Sequence, residues 1–223
     1  GSMQLNANIS SASSLVVAGT SNLAANVTTS GTQTYTSGVT LSSGARTLTT
    51  TNSNVTFSST VDSDAALTPR NLTLNIGTGT AQFNGVVGGT YALGAISITG
   101  KLDLNAAILN GASSAGAASI SVSDTSDLGA NVTTSGNQTY TGAATVSANV
   151  TLTTTSNGSV SFGSTVDGSA AGKTLTITTN GTGNTSITGS VGATTPLGNA
   201  TINTAALTAA AIKLNGTLDI TNS

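Results

Sequence analysis

Residues 134–168 read TSGNQTYTGAATVSANVTLTTTSNGSVSFGSTVDG. Val150-Thr151-Leu152 and Val160-Ser161-Phe162 alternate apolar with polar, and Asn157-Gly158 stands between them as a turn former. A period of two buries one face of a strand and wets the other. The polar partner is usually Thr, whose branched β-carbon favours strands. The same rhythm runs through Val39-Thr40-Leu41, Val55-Thr56-Phe57, Leu72-Thr73-Leu74-Asn75-Ile76, Ile96-Ser97-Ile98, Leu102-Asp103-Leu104, Leu175-Thr176-Ile177 and Leu218-Asp219-Ile220. Ser43-Gly44, Asn52-Ser53-Asn54, Gly77-Thr78-Gly79, Gly88-Gly89 and Gly181-Thr182-Gly183 punctuate it. The one helix-like stretch, residues 205–214, has a strand-like counterpart at Ala106-Ala107-Ile108, so both are read as strand.

Much of the quoted stretch has already occurred about 105 residues earlier. Asn26-Val27-Thr28-Thr29-Ser30-Gly31 returns as Asn131-Val132-Thr133-Thr134-Ser135-Gly136, and Gln33-Thr34-Tyr35-Thr36 as Gln138-Thr139-Tyr140-Thr141. Ser59-Thr60-Val61-Asp62 returns as Ser164-Thr165-Val166-Asp167, and Leu93-Gly94 as Leu197-Gly198. Self-similarity at a fixed period marks a repeat architecture. Residues 1–3 read as a cloning scar, 4–22 as the tail of a preceding repeat, 23–127 as one repeat and 128–223 as a second, nearly complete one. Leu214-Asn215-Gly216 matches Leu109-Asn110-Gly111. Neither end resembles a capping repeat, so the expectation is a piece of a longer array, continuous as one solenoid.

Charged residues make up 5% of the chain, against about 25% in ordinary soluble domains. The five bases, Arg46, Arg70, Lys101, Lys173 and Lys213, stand singly, and the seven acids are all Asp. No basic cluster is present to hold nucleic acid or an anionic membrane surface. No apolar run approaches the ~20 residues that span a bilayer. Without Cys there is no disulfide framework or thiolate metal site. Disorder is argued against by 37% hydrophobic residues that alternate rather than scatter.

Two all-β folds fit: a right-handed parallel β-solenoid (β-helix) of ~20-residue coils, five to a repeat, and two tandem immunoglobulin-like β-sandwich domains. Aromatics at 3%, short strands and aliphatic inward positions without a bulky centre favour the solenoid. Asn near the turns is expected to bond along ladders. The solenoid also accounts for the missing charges. Coils repeat every ~4.8 Å, so a charge recurring at one site faces its like on the next coil.

The quoted stretch and GSVGATTPLGNATI, residues 189–202, resemble repeat regions of very large bacterial exoproteins of the filamentous-haemagglutinin-like adhesin type. The resemblance runs over nearly the whole chain from Leu5. It implies a long β-helical stalk exported to the extracellular face of a bacterial cell, and it carries over no catalytic residue.

Candidate sites are few. Asp62 and Asp167 end the paired Ser-Thr-Val-Asp motifs. They read as calcium or sugar ligands or, more simply, as turn residues bonding their own backbone. Calcium needs several oxygens at one site, and Asp124 with Asp127 forms an acid pair in a Ser/Thr-rich turn. Tyr35 and Tyr140 read as sugar-stacking platforms or as rings covering the core edge with wet hydroxyls. The threonine runs, Thr49-Thr50-Thr51, Thr153-Thr154-Thr155 and Thr174-x-Thr176-x-Thr178 among them, resemble ice-binding ladders but recur irregularly, so they read as solvated strand faces. Sequons at Asn26, Asn54, Asn71, Asn131, Asn149 and Asn180 are glycosylation candidates. With no His, Cys or Glu and seven dispersed Asp, an enzyme is not expected, nor is any cofactor. The expectation is a structural segment of a surface adhesin, serving cell adhesion or biofilm formation. Its partners are the neighbouring repeats of its own chain, with self-association or surface glycans as further ones. The alternative is direct binding of glycan, ice or a second copy through Thr/Asn-rich faces.

Overall fold

The computed structural model describes residues 1–109 and 117–222. Among them are twenty-five β-strands and no helix, and every strand pairing is parallel. The chain winds through roughly ten coils as a β-solenoid; tandem sandwiches are not needed. Coil lengths range from 17 residues, Leu197 to its register partner Leu214, to 26, Val61 to Val87.

Each coil has three faces. Face I begins with Met3–Leu5, Ser21–Leu23, Val39–Leu41 and Val61–Ser63. It passes through single bridges at Val87 and Ile108 and continues with Val132–Thr134, Val150–Thr154, Leu175–Thr178, Ala200–Asn203 and Leu218–Thr221. Face II holds Ile9–Ala12, Val27–Thr29, Arg46–Thr49, Ser119–Val122, Gln138–Tyr140 and Val160–Phe162. Face III holds Leu15–Val17, Gln33–Tyr35, Val55–Phe57, Ser126–Leu128, Ala144–Val146 and Val166–Gly168. Faces II and III join into one sheet because four strands, such as Leu72–Phe83 and Ala95–Leu104, continue round the corner between them.

The period-two pattern lays down the core directly. On face II, Val27, Leu48, Leu74, Ile98, Val122, Tyr140, Phe162 and Ile187 are successive register partners, all buried. On face III the column runs Val17, Tyr35, Phe57, Phe83, Leu104, Leu128 and Val146. The expectation of a core without bulky groups is corrected here. The aromatics are few, but all three Phe and two of the three Tyr are fully buried. They stack between coils: Tyr35 on Phe57 at 5.3 Å, Phe57 on Phe83 at 5.1 Å, and Tyr140 on Phe162 at 5.1 Å between ring centroids. Parallel register places one aromatic ring above another, and stacking adds about 1 kcal/mol per pair to their burial.

The sequence repeat is not a whole number of coils. Val27 lies on face II and its repeat counterpart Val132 on face I; Val61 lies on face I and Val166 on face III. Every equivalent strand has stepped fourteen faces, four coils and two-thirds rather than five. The second repeat is therefore turned by a third of a revolution relative to the first. Strand–corner units built from the same parts thus occupy different faces in the two repeats.

Candidate functional site

Strand corners leave backbone N–H groups without a ladder partner, and such groups must be satisfied. Asparagine does this across coils. The Oδ1 of Asn26 accepts from Thr47 N, that of Asn71 from Ala95 N, that of Asn131 from Thr151 N and that of Asn149 from Thr174 N, at 2.8–3.1 Å. Side chain to backbone is the rule; Asn105 to Asn84 is a side-chain rung of the kind expected from sequence. Five of the six sequon asparagines thus brace the next coil through Oδ1, Asn54 completing the set with Thr80 N. Asn180 instead donates to Thr155 O.

Asp62 and Asp167 perform the same service with a carboxylate. Asp62 Oδ1 accepts from Thr90 N at 2.8 Å and Tyr91 N at 3.3 Å; Asp167 Oδ1 accepts from Thr194 N at 2.8 Å and Thr195 N at 3.1 Å. Each carboxylate therefore binds backbone one coil on, not in its own turn. The two lie on different faces. Asp124 Oδ1 does bond its own turn, at Thr125 N. Asp127 sits mid-strand on face III, in register with Asp103 on one side and Thr145 on the other.

Tyr35 and Tyr140 are not surface platforms. Both have no exposed surface, and their hydroxyls are not wet: they donate to Gln33 Oε1 at 3.1 Å and Gln138 Oε1 at 3.3 Å. Each Gln amide in turn donates to a backbone carbonyl, Gln33 Nε2 to Thr49 O and Gln138 Nε2 to Thr153 O, both at 2.9 Å. Burial pushes both phenols up, beyond the ordinary range of tyrosine. The paired recurrence of Gln-x-Tyr was the available signal, because alternation puts both side chains on one face.

The threonine runs are likewise of two kinds. Thr29, Thr134, Thr50 and Thr154 turn inward, are nearly fully buried and donate to the corner carbonyls of Gly31, Gly136, Ser53 and Gly158. The outward hydroxyls form a column on face II: Thr47, Thr73, Ser97, Ser121, Thr139, Ser161, Ser186 and Thr208 follow one another in register. On face I, Thr151 and Thr153 stack on Thr176 and Thr178.

A groove of about 400 Å³ on face I is lined by Asn22, Thr40, Asp62, Ser63, Asp64, Thr90 and Tyr91. Asn22, Thr40 and Asp62 are outward register partners on successive coils. Tyr91, 37% exposed, stands on the loop that Asp62 braces. Its carbonyl also accepts from Ser63 N at 3.1 Å. Asp64 is held by Arg70, whose Nε and Nη2 donate to its two oxygens at 2.7 and 3.1 Å. Those bonds keep the Asp64 carboxyl below its usual range. Sequence reading missed Tyr91, which has no aromatic counterpart in the second repeat.

Fold and surface together define a parallel β-solenoid repeat protein. Comparison with protein-family models, with curated proteins and with solved structures finds no match to the chain.

Proposed function

We propose that this chain is a structural stalk segment of a large secreted or surface-bound bacterial adhesin, serving cell adhesion or biofilm formation, and that it is not an enzyme. The observation that carries this reading is the fractional repeat. Because 105 residues make four and two-thirds coils, successive repeat boundaries fall at different points of a coil. The register columns run unbroken from one repeat into the next. Such a chain cannot hinge between repeats, as tandem domains do. It extends by addition, at ~4.8 Å per coil, and each added repeat contacts its neighbours alone. The low charge and the hydroxyl columns support a shaft whose identical neighbours neither repel nor demand a partner.

The test is surface display. Arrays of two, four and six repeats are placed between an outer-surface anchor and a terminal peptide tag, and capture of the cells on tag-binding beads coated with a polymer brush is counted. Capture should rise with repeat number and vanish without the tag. Tagless arrays that adhere to epithelial cells or glass as well as tagged ones would overturn the stalk reading.

A further inference from the structure

We propose that the groove beside Tyr91 on face I is a saccharide-binding site that takes uncharged sugars in preference to acidic ones. It goes beyond the stalk reading and does not depend on it. A pyranose ring offers an apolar C–H face and a rim of paired hydroxyls. The groove is lined by the partly exposed Tyr91 and by the amide, hydroxyl and carboxylate groups of Asn22, Thr40 and Asp62, register partners on successive coils. Its volume of about 400 Å³ falls within the roughly 300–1,000 Å³ of small-molecule sites.

The platform is built rather than incidental. Tyr91 is fixed through its backbone on both sides, by Asp62 Oδ1 and by Ser63 N. Ser63 in turn is buried and donates through Oγ to Ala92 O at 2.8 Å. A loop held this way loses little entropy on binding. Asp62 uses Oδ1 for the loop, and its Oδ2 takes no hydrogen bond among the described residues. That oxygen is a charge-assisted acceptor for a sugar hydroxyl. The same negative charge repels a uronate or sialate, while the Asp64 charge nearby is spent on Arg70.

The second repeat supplies an internal control. Asp167 braces Thr194 and Thr195 in the geometry in which Asp62 braces Thr90 and Tyr91. Thr195 stands where Tyr91 does, so the scaffold is present twice and the ring once. The scaffold thus folds without the aromatic side chain.

Two-dimensional ¹H–¹⁵N spectra of the whole chain test this. Chitotetraose, cellotetraose, maltotetraose and mannotriose are each added at about 10 mM, tenfold above a 1 mM dissociation constant. At least one should shift the Thr90 and Tyr91 amides saturably. Tetragalacturonate should bind at least about tenfold more weakly than that sugar. Tyr91→Thr, the residue the second repeat carries, should weaken binding about tenfold or more and leave the remaining spectrum in place. Asp62→Asn keeps an acceptor for the loop and removes the charge, so the discrimination against tetragalacturonate should shrink. No shift with any of the four neutral sugars, shifts unchanged in Tyr91→Thr, or tetragalacturonate binding as tightly as the best neutral sugar would each overturn the proposal. None of these outcomes touches the display experiment, which reads reach rather than sugar binding. Tagless adhesion that survives Tyr91→Thr counts against the stalk alone.

Discussion

Tyr35 and Tyr140 occupy the same place in two copies of Gln-Thr-Tyr-Thr, yet Tyr35 pairs in register with Phe57 on face III and Tyr140 with Phe162 on face II. Around each, the same hydrogen bonds are rebuilt: hydroxyl to Gln Oε1, and Gln Nε2 to a carbonyl of the next coil. The local sequence dictates the strand, its corner and its buried network. Which face it lands on follows from the number of corners already turned.

Removing one donor from that network leaves a buried acceptor unsatisfied. Tyr35→Phe strips Gln33 Oε1 of its partner and should cost about 1–3 kcal/mol. Tyr140→Phe should cost the same, and the two should add to within about 0.5 kcal/mol, because they lie more than four coils apart. Gln33→Met should cost more than Tyr35→Phe, since Thr49 O also loses its donor. Urea unfolding followed by circular dichroism measures all four; a Tyr35→Phe effect under about 0.3 kcal/mol would show the network to be energetically idle.

The same burial fixes the alkaline limit. An exposed phenol titrates near the ordinary value of 10.0, whereas the two buried ones are raised above it. Above pH 10 the unfolded chain releases protons that the folded chain retains. The stabilisation present below that pH is therefore lost as pH rises, by roughly 1.4 kcal/mol per pH unit for each tyrosine. With no His or Glu in the sequence, few groups titrate between pH 5 and 9, and stability should be flat across that range. Urea midpoints at pH 7, 9, 10.5 and 11.5 check it, and phenolate absorbance of Tyr35 and Tyr140 should appear together with unfolding.

The solenoid and its strands were legible because alternation of Val, Leu and Ile with Thr has one physical meaning at each position. The inward turn of Thr29, Thr50, Thr134 and Thr154 was not, because a run of three threonines does not say where the strand ends. Each is the residue at which the strand meets its corner, and the carbonyl it caps makes the difference. The one-third rotation of the repeats was hidden for a similar reason. Coil lengths vary from 17 to 26 residues, and variation confined to corners leaves the strand pattern untouched. Tyr91 escaped notice because its significance comes from Asp62, Asn22 and Thr40, residues that only coiling brings beside it.

Cross-coil capping should be separable from packing at Asn71, which is exposed and accepts from Ala95 N at 2.8 Å. Asn71→Ala leaves that N–H without its acceptor and should cost about 1 kcal/mol. Asn71→Asp keeps an acceptor oxygen and should cost less than half as much, as Asp62 and Asp167 already show that a carboxylate can serve. Equal losses in the two variants, again by urea unfolding, would place the effect in side-chain packing instead.

Face III tests why the chain is so sparsely charged. Asp103 and Asp127 are register partners, and Asp167 follows beyond Thr145. Gln82 and Asn105 donate to Asp103 at 2.8 and 2.9 Å and offset part of the repulsion. Thr145→Asp closes the gap into four carboxylates at ~4.8 Å intervals. It should destabilise the fold by roughly 1 kcal/mol at low salt, and less in 1 M NaCl, where screening reaches ~3 Å. Thr145→Lys should stabilise it by a similar amount. Loss of stability in both variants, independent of salt, would mean that side-chain shape rather than charge governs the column.

The core also carries a polar group that it does not use. Ser126 stands at an inward position on face III, 2% exposed, between its register partners Leu102 and Ala144. Its hydroxyl has no hydrogen-bond partner among the described residues. A buried hydroxyl without a partner costs about 1–3 kcal/mol relative to water. Alanine already fills the same column one coil on, so Ser126→Ala removes the oxygen without changing the backbone or opening a large void. The variant should be more stable than the parent by about 1 kcal/mol, raising the urea midpoint with no change in the slope of the transition. A lower midpoint would mean that the hydroxyl is satisfied by a trapped water. Such a water makes about three hydrogen bonds and is costly to remove, so the sign of the change decides between the two.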